Sequence, residues 1–257
     1  MDRRALAVAL LVALAGCNAF GGGSGDATPT VTPAPVPDPT PTERPGAAAV
    51  PGLSEAGVVD VDALAAAHRA ALANRTYVRT VERRNGNRTM RSTLRVADQR
   101  TYAYEASAPS LVANTSAYAD GETLYTRHSR RDQVYPRYER TGTVAPAVER
   151  YAGAMLGPVR RYFPARDAQV AAISVRNRRH YEVIGHTPPA GAAPGVENYT
   201  VRAVIERTGL VRSLFVSYDL VRDGRSRSVL VRIHYVFRPV TIERPAWVTR
   251  RWPTTPG

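Results

Sequence analysis

The chain of 257 residues offers one thiol, five imidazoles and 35 guanidinium groups for chemistry, and it contains no lysine. The histidines, His68, His128, His180, His186 and His234, show no HxH or HExxH spacing and stand in no cluster of carboxylates, so no metal ligand set is expected. His180 and His186 flank a strand expected over Tyr181 to Gly185 and read as strand-end residues. There is no GxSxG elbow, P-loop or GxGxxG turn, so no catalytic residue, no cofactor and no enzymatic activity are expected. A lone cysteine cannot close an intrachain disulfide or form a CxxC pair.

That cysteine has another use. Asp2, Arg3 and Arg4 precede the 11-residue apolar run Ala5 to Ala15, which ends in Leu14-Ala15-Gly16-Cys17. Basic residues before a short apolar run describe a secretory signal, and the small residues at Ala15 and Gly16 beside Cys17 describe a lipobox. Residues 1–16 are therefore expected to be removed and Cys17 to carry lipid. Two chains on that thiol anchor stably, because each buried CH2 contributes about 0.8 kcal/mol. The expected location is the cell membrane, facing the extracellular side. No stretch reaches the roughly 20 apolar residues of a membrane-spanning helix.

Residues 17–52 continue as a linker, with Gly21-Gly22-Gly23-Ser24-Gly25 followed by eight prolines between Pro29 and Pro51. Such a segment is flexible at its Gly-rich end and extended where Pro-rich, and it would hold a folded domain away from the bilayer. Residues 53–257 form that domain, with 32 of the 35 arginines and 18 of the 22 acidic residues. The excess of positive charge suits a lipid headgroup surface or a surface glycan rather than nucleic acid. Arg79 and Arg83, Arg91 and Arg95, Arg202, Arg212, Arg222 and Arg232 fall mostly at alternate strand positions, which also suits a solvated sheet face.

The elements that must position these groups are read from period and punctuation. Asp60 caps a helix with Val61, Leu64, His68 and Leu72 along one stripe. Alternating runs follow over 76–84, 88–97, 100–105, 116–119, 123–128 and 134–139, with Asn85-Gly86 and Asp120-Gly121 as hairpin turns. A helical insert is expected over about 145–175, from the spacing of Val148, Tyr151, Ala152, Met155, Val159, Tyr162 and Phe163. Gly157-Pro158 should kink or break it, and a second short helix is expected from Arg166 to Ile173. Strands resume over 199–206, 210–222 and 226–238. The class is α+β, a curved antiparallel sheet of about 9–11 strands, a half-barrel wrapped around a few helices.

Such a half-barrel leaves a groove on its apolar face. Val229, Val231, Ile233, Tyr235 and Phe237 share one wholly apolar side of the last strand. Tyr102, Tyr104 and Tyr218 are expected to join them around an apolar ligand, and Tyr118 and Tyr125 are further candidates. Four sequons, at Asn74, Asn87, Asn114 and Asn198, are candidate N-glycan sites and require those asparagines to be exposed. Asn74 serves equally well as a helix C-cap.

The lipobox and linker, together with Pro51-Gly52, Val58, Asp60, Ala63-Leu64, Ala67-His68-Arg69, Leu72, Asn74-Arg75-Thr76-Tyr77 and the Pro-Ala-Trp at Trp247, resemble a family of membrane lipoproteins of halophilic archaea with no assigned activity. The order of elements is similar to carriers of the lipoprotein-localisation type and to mycobacterial glycolipid-carrier lipoproteins, in which a curved sheet encloses an apolar cavity. That likeness implies a membrane-anchored, non-enzymatic carrier of a lipid or other apolar ligand. The alternative is a cell-envelope interaction lipoprotein whose Arg-rich face docks on an anionic surface or a protein partner. The basic charge departs from the acidic surface expected of an extracellular protein in molar salt, where a Debye length of about 3 Å leaves only close contacts effective. Replacing Cys17 by Ser is expected to release the protein from membranes, and pelleting of the cleaved variant with membranes would contradict the anchor.

Overall fold

Strands in this chain come as two meanders separated by helices. The computed structural model describes residues 46–108, 113–130, 135–163 and 167–253; the signal run, Cys17 and most of the linker lie outside the described residues. The first meander is β3 (Tyr77–Asn85), β4 (Arg88–Val96), β5 (Thr101–Ala108), β6 (Ala113–Asp120), β7 (Leu124–Ser129) and β8 (Arg137–Thr141). The second is β9 (Ala168–Val175), β10 (Arg178–Gly185), β11 (Val196–Glu206), β12 (Val211–Arg222) and β13 (Arg225–Val236). A short hairpin, β1 (Leu53–Ser54) and β2 (Gly57–Val58), precedes them.

Pairing of β13 with β3 fuses the two meanders into one sheet of 11 strands, ordered β8-β7-β6-β5-β4-β3-β13-β12-β11-β10-β9 and antiparallel throughout. The sheet is curved and does not close into a barrel. Strands β8 and β9 are neighbours in sequence but lie at opposite edges, so the chain between them must cross from edge to edge. It does so through helices α2 (Ala147–Arg150) and α3 (Ala152–Tyr162), with Val148, Met155 and Val159 buried.

Two-residue alternation fixes which side faces the helices. Tyr77 and Val81 of β3, Leu94 and Val96 of β4, Tyr102 of β5, Val201, Ala203 and Ile205 of β11, Leu214 and Val216 of β12, and Val231, Ile233 and Tyr235 of β13 form one continuous core. Against it lies α1 (Val61–Ala73), with Leu64, His68 and Leu72 buried along its stripe. Asp60 caps this helix as its spacing predicts, Oδ1 accepting from the Asp62 and Ala63 N–H groups at 3.0 and 2.9 Å. Burying each leucine contributes about 1.5–3 kcal/mol. Gly209, at φ +82°, lets the β11–β12 turn close on the helix, since a Cβ there would stand 2.5 Å from that of Ala67.

The structure corrects the reading of 145–175. Residues 168–175 are edge strand β9, paired with β10 from Arg178↔Val175 to Gly185↔Ala168, and not the second short helix expected there; Arg166, its expected start, lies outside the described residues. The missed signal is the turn: Arg176 and Asn177 both take positive φ, 50° and 60°, the geometry of a two-residue hairpin without glycine. Nor does Gly157-Pro158 break the helix. The break falls at Tyr151, and Pro158 sits buried inside α3.

On the outer face, the chain after β13 runs back over the first meander to α4 (Ala246–Arg251). Val248 is fully buried there against Tyr118 and Tyr125, which stack at 5.9 Å. Arg244 fixes this segment, 3.6 Å from Asp120 and 5.1 Å from the Tyr125 ring centroid.

Gly52 is locked at the entrance to α1, at φ +74° with the site of a Cβ only 2.0 Å from the Asp60 carbonyl, whereas Gly153 in α3 has open space around it. Gly52→Ala is expected to destabilise by more than about 2 kcal/mol, and Gly153→Ala to be neutral or stabilising by up to about 1 kcal/mol, in denaturant unfolding of the full-length protein.

Candidate functional site

The inner face of the sheet carries two features that close packing of apolar residues does not explain. The first is a polar cluster beneath α1 and α3. Arg79 shares the inward side of β3 with Tyr77 and Val81 and is only 2% exposed. Its place corrects the expectation of a solvated arginine stripe: Arg91, Arg202, Arg222 and Arg232 are exposed, and Arg79 is not. The residues on either side of it in the alternation, Tyr77 and Val81, are the signal that could have found it.

Arg79 Nη2 donates to the Ala154 carbonyl in α3. That carbonyl needs an outside donor because its partner four residues on is Pro158, which has no N–H. The guanidinium thus completes the helix that the proline interrupts, with a charge-assisted bond worth about 1.5–3 kcal/mol. Among the described residues no carboxylate pairs with Arg79.

Beside it, the Val211 N–H donates to His68 Nδ1 at 3.1 Å, which leaves Nε2 to carry the ring proton toward the Tyr235 hydroxyl at 3.3 Å. His68 meets Tyr235 edge-on, ring centroids 5.3 Å apart, and Tyr77 lies 5.8 Å from Tyr235. Burial, aided by the Arg79 charge, lowers the His68 pKa to about 3. Burial pushes the Tyr235 phenol up to about 12, against the pull of the Arg79 guanidinium across the strand pair. Tyr77 and Tyr151 are held above the usual phenol range, chiefly by burial. All of these groups are neutral at pH 7 except the arginine.

The second feature is a cavity of about 320 Å³ at the far end of α3, lined by Tyr162, Tyr199, Tyr218, Val196, Leu220 and Pro189, with Arg161 at its rim. The rings of Tyr199 and Tyr218 stack at 6.2 Å, and the Tyr199 hydroxyl donates to the Tyr162 carbonyl, fastening the last turn of α3 to β11.

Of the eight residues expected to line a ligand groove, Tyr218 lines this cavity. Tyr102, Val231, Ile233 and Tyr235 are buried among core side chains, Val229 is 9% exposed, and Tyr104 packs on Tyr151. Phe237 lies between two guanidinium groups, Arg75 at 5.1 Å and Arg212 at 5.3 Å, which both pair with Glu206. Tyr118 and Tyr125 point the other way, into the outer cluster with Val248, because Ala117 and Ala119 hold the inward positions of β6.

The four sequon asparagines are all exposed. Asn74 is the C-cap of α1, Asn87 lies in the two-residue β3–β4 turn, and Asn114 lies on β6. Asn198, at φ 52°, donates from Nδ2 to Asp219 at 2.9 Å. Among the described residues no group of three or more His, Cys, Asp or Glu is arranged to hold a metal ion. No family model matches the chain, and no curated protein matches it.

Because His68 is neutral in the fold down to about pH 3 but titrates near 6.5 when unfolded, its contribution is complete above pH 6.5 and is lost as pH falls toward 3. Unfolding free energy should fall by up to about 1.4 kcal/mol per pH unit across that window. His68→Gln should flatten this one-proton slope, as read from urea titrations at successive pH values.

Proposed function

We propose that this chain is a lipid-anchored extracytoplasmic carrier, tethered through Cys17, that shelters a lipid or other apolar ligand within a half-barrel and performs no covalent chemistry. On this reading it is a lipoprotein of the haloarchaeal type. The observation that carries the proposal is the cavity, lined by tyrosines and aliphatic side chains, where the open sheet meets the end of α3. Its volume of about 320 Å³ falls within the range of small-molecule sites. The mixture of aliphatic walls and phenol rims suits an acyl chain with a polar end. Burial at about 0.8 kcal/mol per CH2 makes even eight methylenes worth about 6 kcal/mol before binding costs. The unclosed sheet supports the same reading, since a ligand can reach the cavity without unfolding a barrel.

A second reading, docking of the arginine face on an anionic surface or partner, is favoured by a polar groove of about 380 Å³ lined by Arg91, Arg127, Ser107, Asn114 and Ser116. Ion pairs already engage part of that face, Arg91 with Glu82 at 3.9 Å and Arg95 with Glu105 at 3.5 Å. We therefore place the carrier reading first.

Mass spectrometry of small molecules extracted from the purified full-length protein tests it. A stoichiometric, non-covalent lipid is expected in the wild type and is expected to fall at least tenfold in Tyr218→Arg, which places a charge in the cavity. A stable protein that comes out free of lipid would overturn the carrier reading in favour of the docking one.

A further inference from the structure

The cluster around Arg79 is rich in donors and poor in acceptors. Arg79 brings a guanidinium charge into the core. Its Nη2 is satisfied by the Ala154 carbonyl, but its Nε has no protein partner, and neither has the Tyr77 hydroxyl. The Tyr235 oxygen accepts from His68 Nε2, so its own proton points elsewhere. His68 brings another N–H, and its one acceptor nitrogen is already taken by Val211.

A single buried cation without a counter-charge is strongly unfavourable, and buried N–H and O–H groups without acceptors add to that cost. One anion satisfies both requirements, since it neutralises the guanidinium and offers several lone pairs at one point. A water molecule supplies acceptor sites but no charge.

We propose that Arg79, with the hydroxyls of Tyr77 and Tyr235, forms a buried site for one monovalent anion beneath α3. The anion is either a free halide or the carboxylate head of an amphiphile; the second source rests on the carrier reading, and the first does not.

The test is thermal unfolding of the full-length protein at constant ionic strength, with chloride replacing gluconate, and separately with octanoate added. Crystals soaked in bromide give the position of the ion. In the wild type, raising an anion to a hundredfold its dissociation constant should lift Tm by about 5 to 10 °C. The response should vanish in Arg79→Met and weaken in Tyr77→Phe, and anomalous bromide density should lie against the Arg79 guanidinium. A chloride response alone assigns a free anion, and octanoate abolishing the chloride response assigns a carboxylate head. Since Arg79→Met also removes the bond to Ala154, Tyr77→Phe carries the comparison if the first variant fails to fold.

Equal anion responses in the wild type and Tyr77→Phe, with no bromide at Arg79, would overturn the site and leave the cluster to water. Protein free of lipid that keeps its Arg79-dependent chloride response would overturn the carrier reading alone. Lipid-loaded protein with no such response would overturn this site alone.

Discussion

Everything described above depends on the register between β3 and β13, from Val78 opposite Val236 to Asn85 opposite Val229. These strands are separated by most of the folded chain, yet their pairing alone makes one sheet out of two meanders. It also sets Arg79 directly across from Tyr235, which brings the guanidinium, the phenol and, through α1, His68 to one place. A slip of one residue would turn Arg79 to solvent and Thr80 inward, dissolving the polar cluster and removing the bond to α3 together. Non-local pairings of this kind form late and slowly, because chain closure is unfavourable until the contacts are made.

The helices are seated on that sheet by polar contacts as much as by apolar ones. Val211 N–H to His68 joins α1 to β12, Arg79 to Ala154 joins α3 to β3, and Tyr199 to Tyr162 joins the end of α3 to β11. Each places a buried donor against an acceptor that would otherwise go unsatisfied, so each is specific in direction where packing alone would allow α3 to slide. Helices α1 and α3 are therefore held at three points over a sheet whose edges remain apart.

Much of this was legible in the sequence wherever the determinant was local. Asp60 and the Leu64-His68-Leu72 stripe define α1, Asn85-Gly86 and Asp120-Gly121 define two hairpins, and the period of Val229 to Tyr235 gives the inward face of β13. Strand β9 was missed because its turn, Arg176-Asn177, reaches left-handed φ without glycine. The helix break was misplaced because the effect of Pro158 is relieved by a residue 79 positions earlier in the chain, Arg79, which no local pattern connects to it. The same long-range fact hid the most unusual member of the candidate site. Its cavity was equally out of reach, since the segment around Pro189 that walls it has neither period nor motif.

An open sheet has two unpaired rims, and they are protected differently. Strand β8 is five residues long and carries Arg137, Glu139 and Arg140, which discourages a foreign strand from adding to it. Strand β9 has eight residues and no charge, the composition of a template for self-association. The 3-10 turn Ala47–Ala49 and β2 lie against it, with Gly57 beside Ala168. Residues 46–58 therefore act as a guard over an adhesive rim. Because Ala47, Val50, Leu53 and Val58 of this stretch belong to the main core, a cut here would loosen packing and bare a rim open to strand addition in the same event.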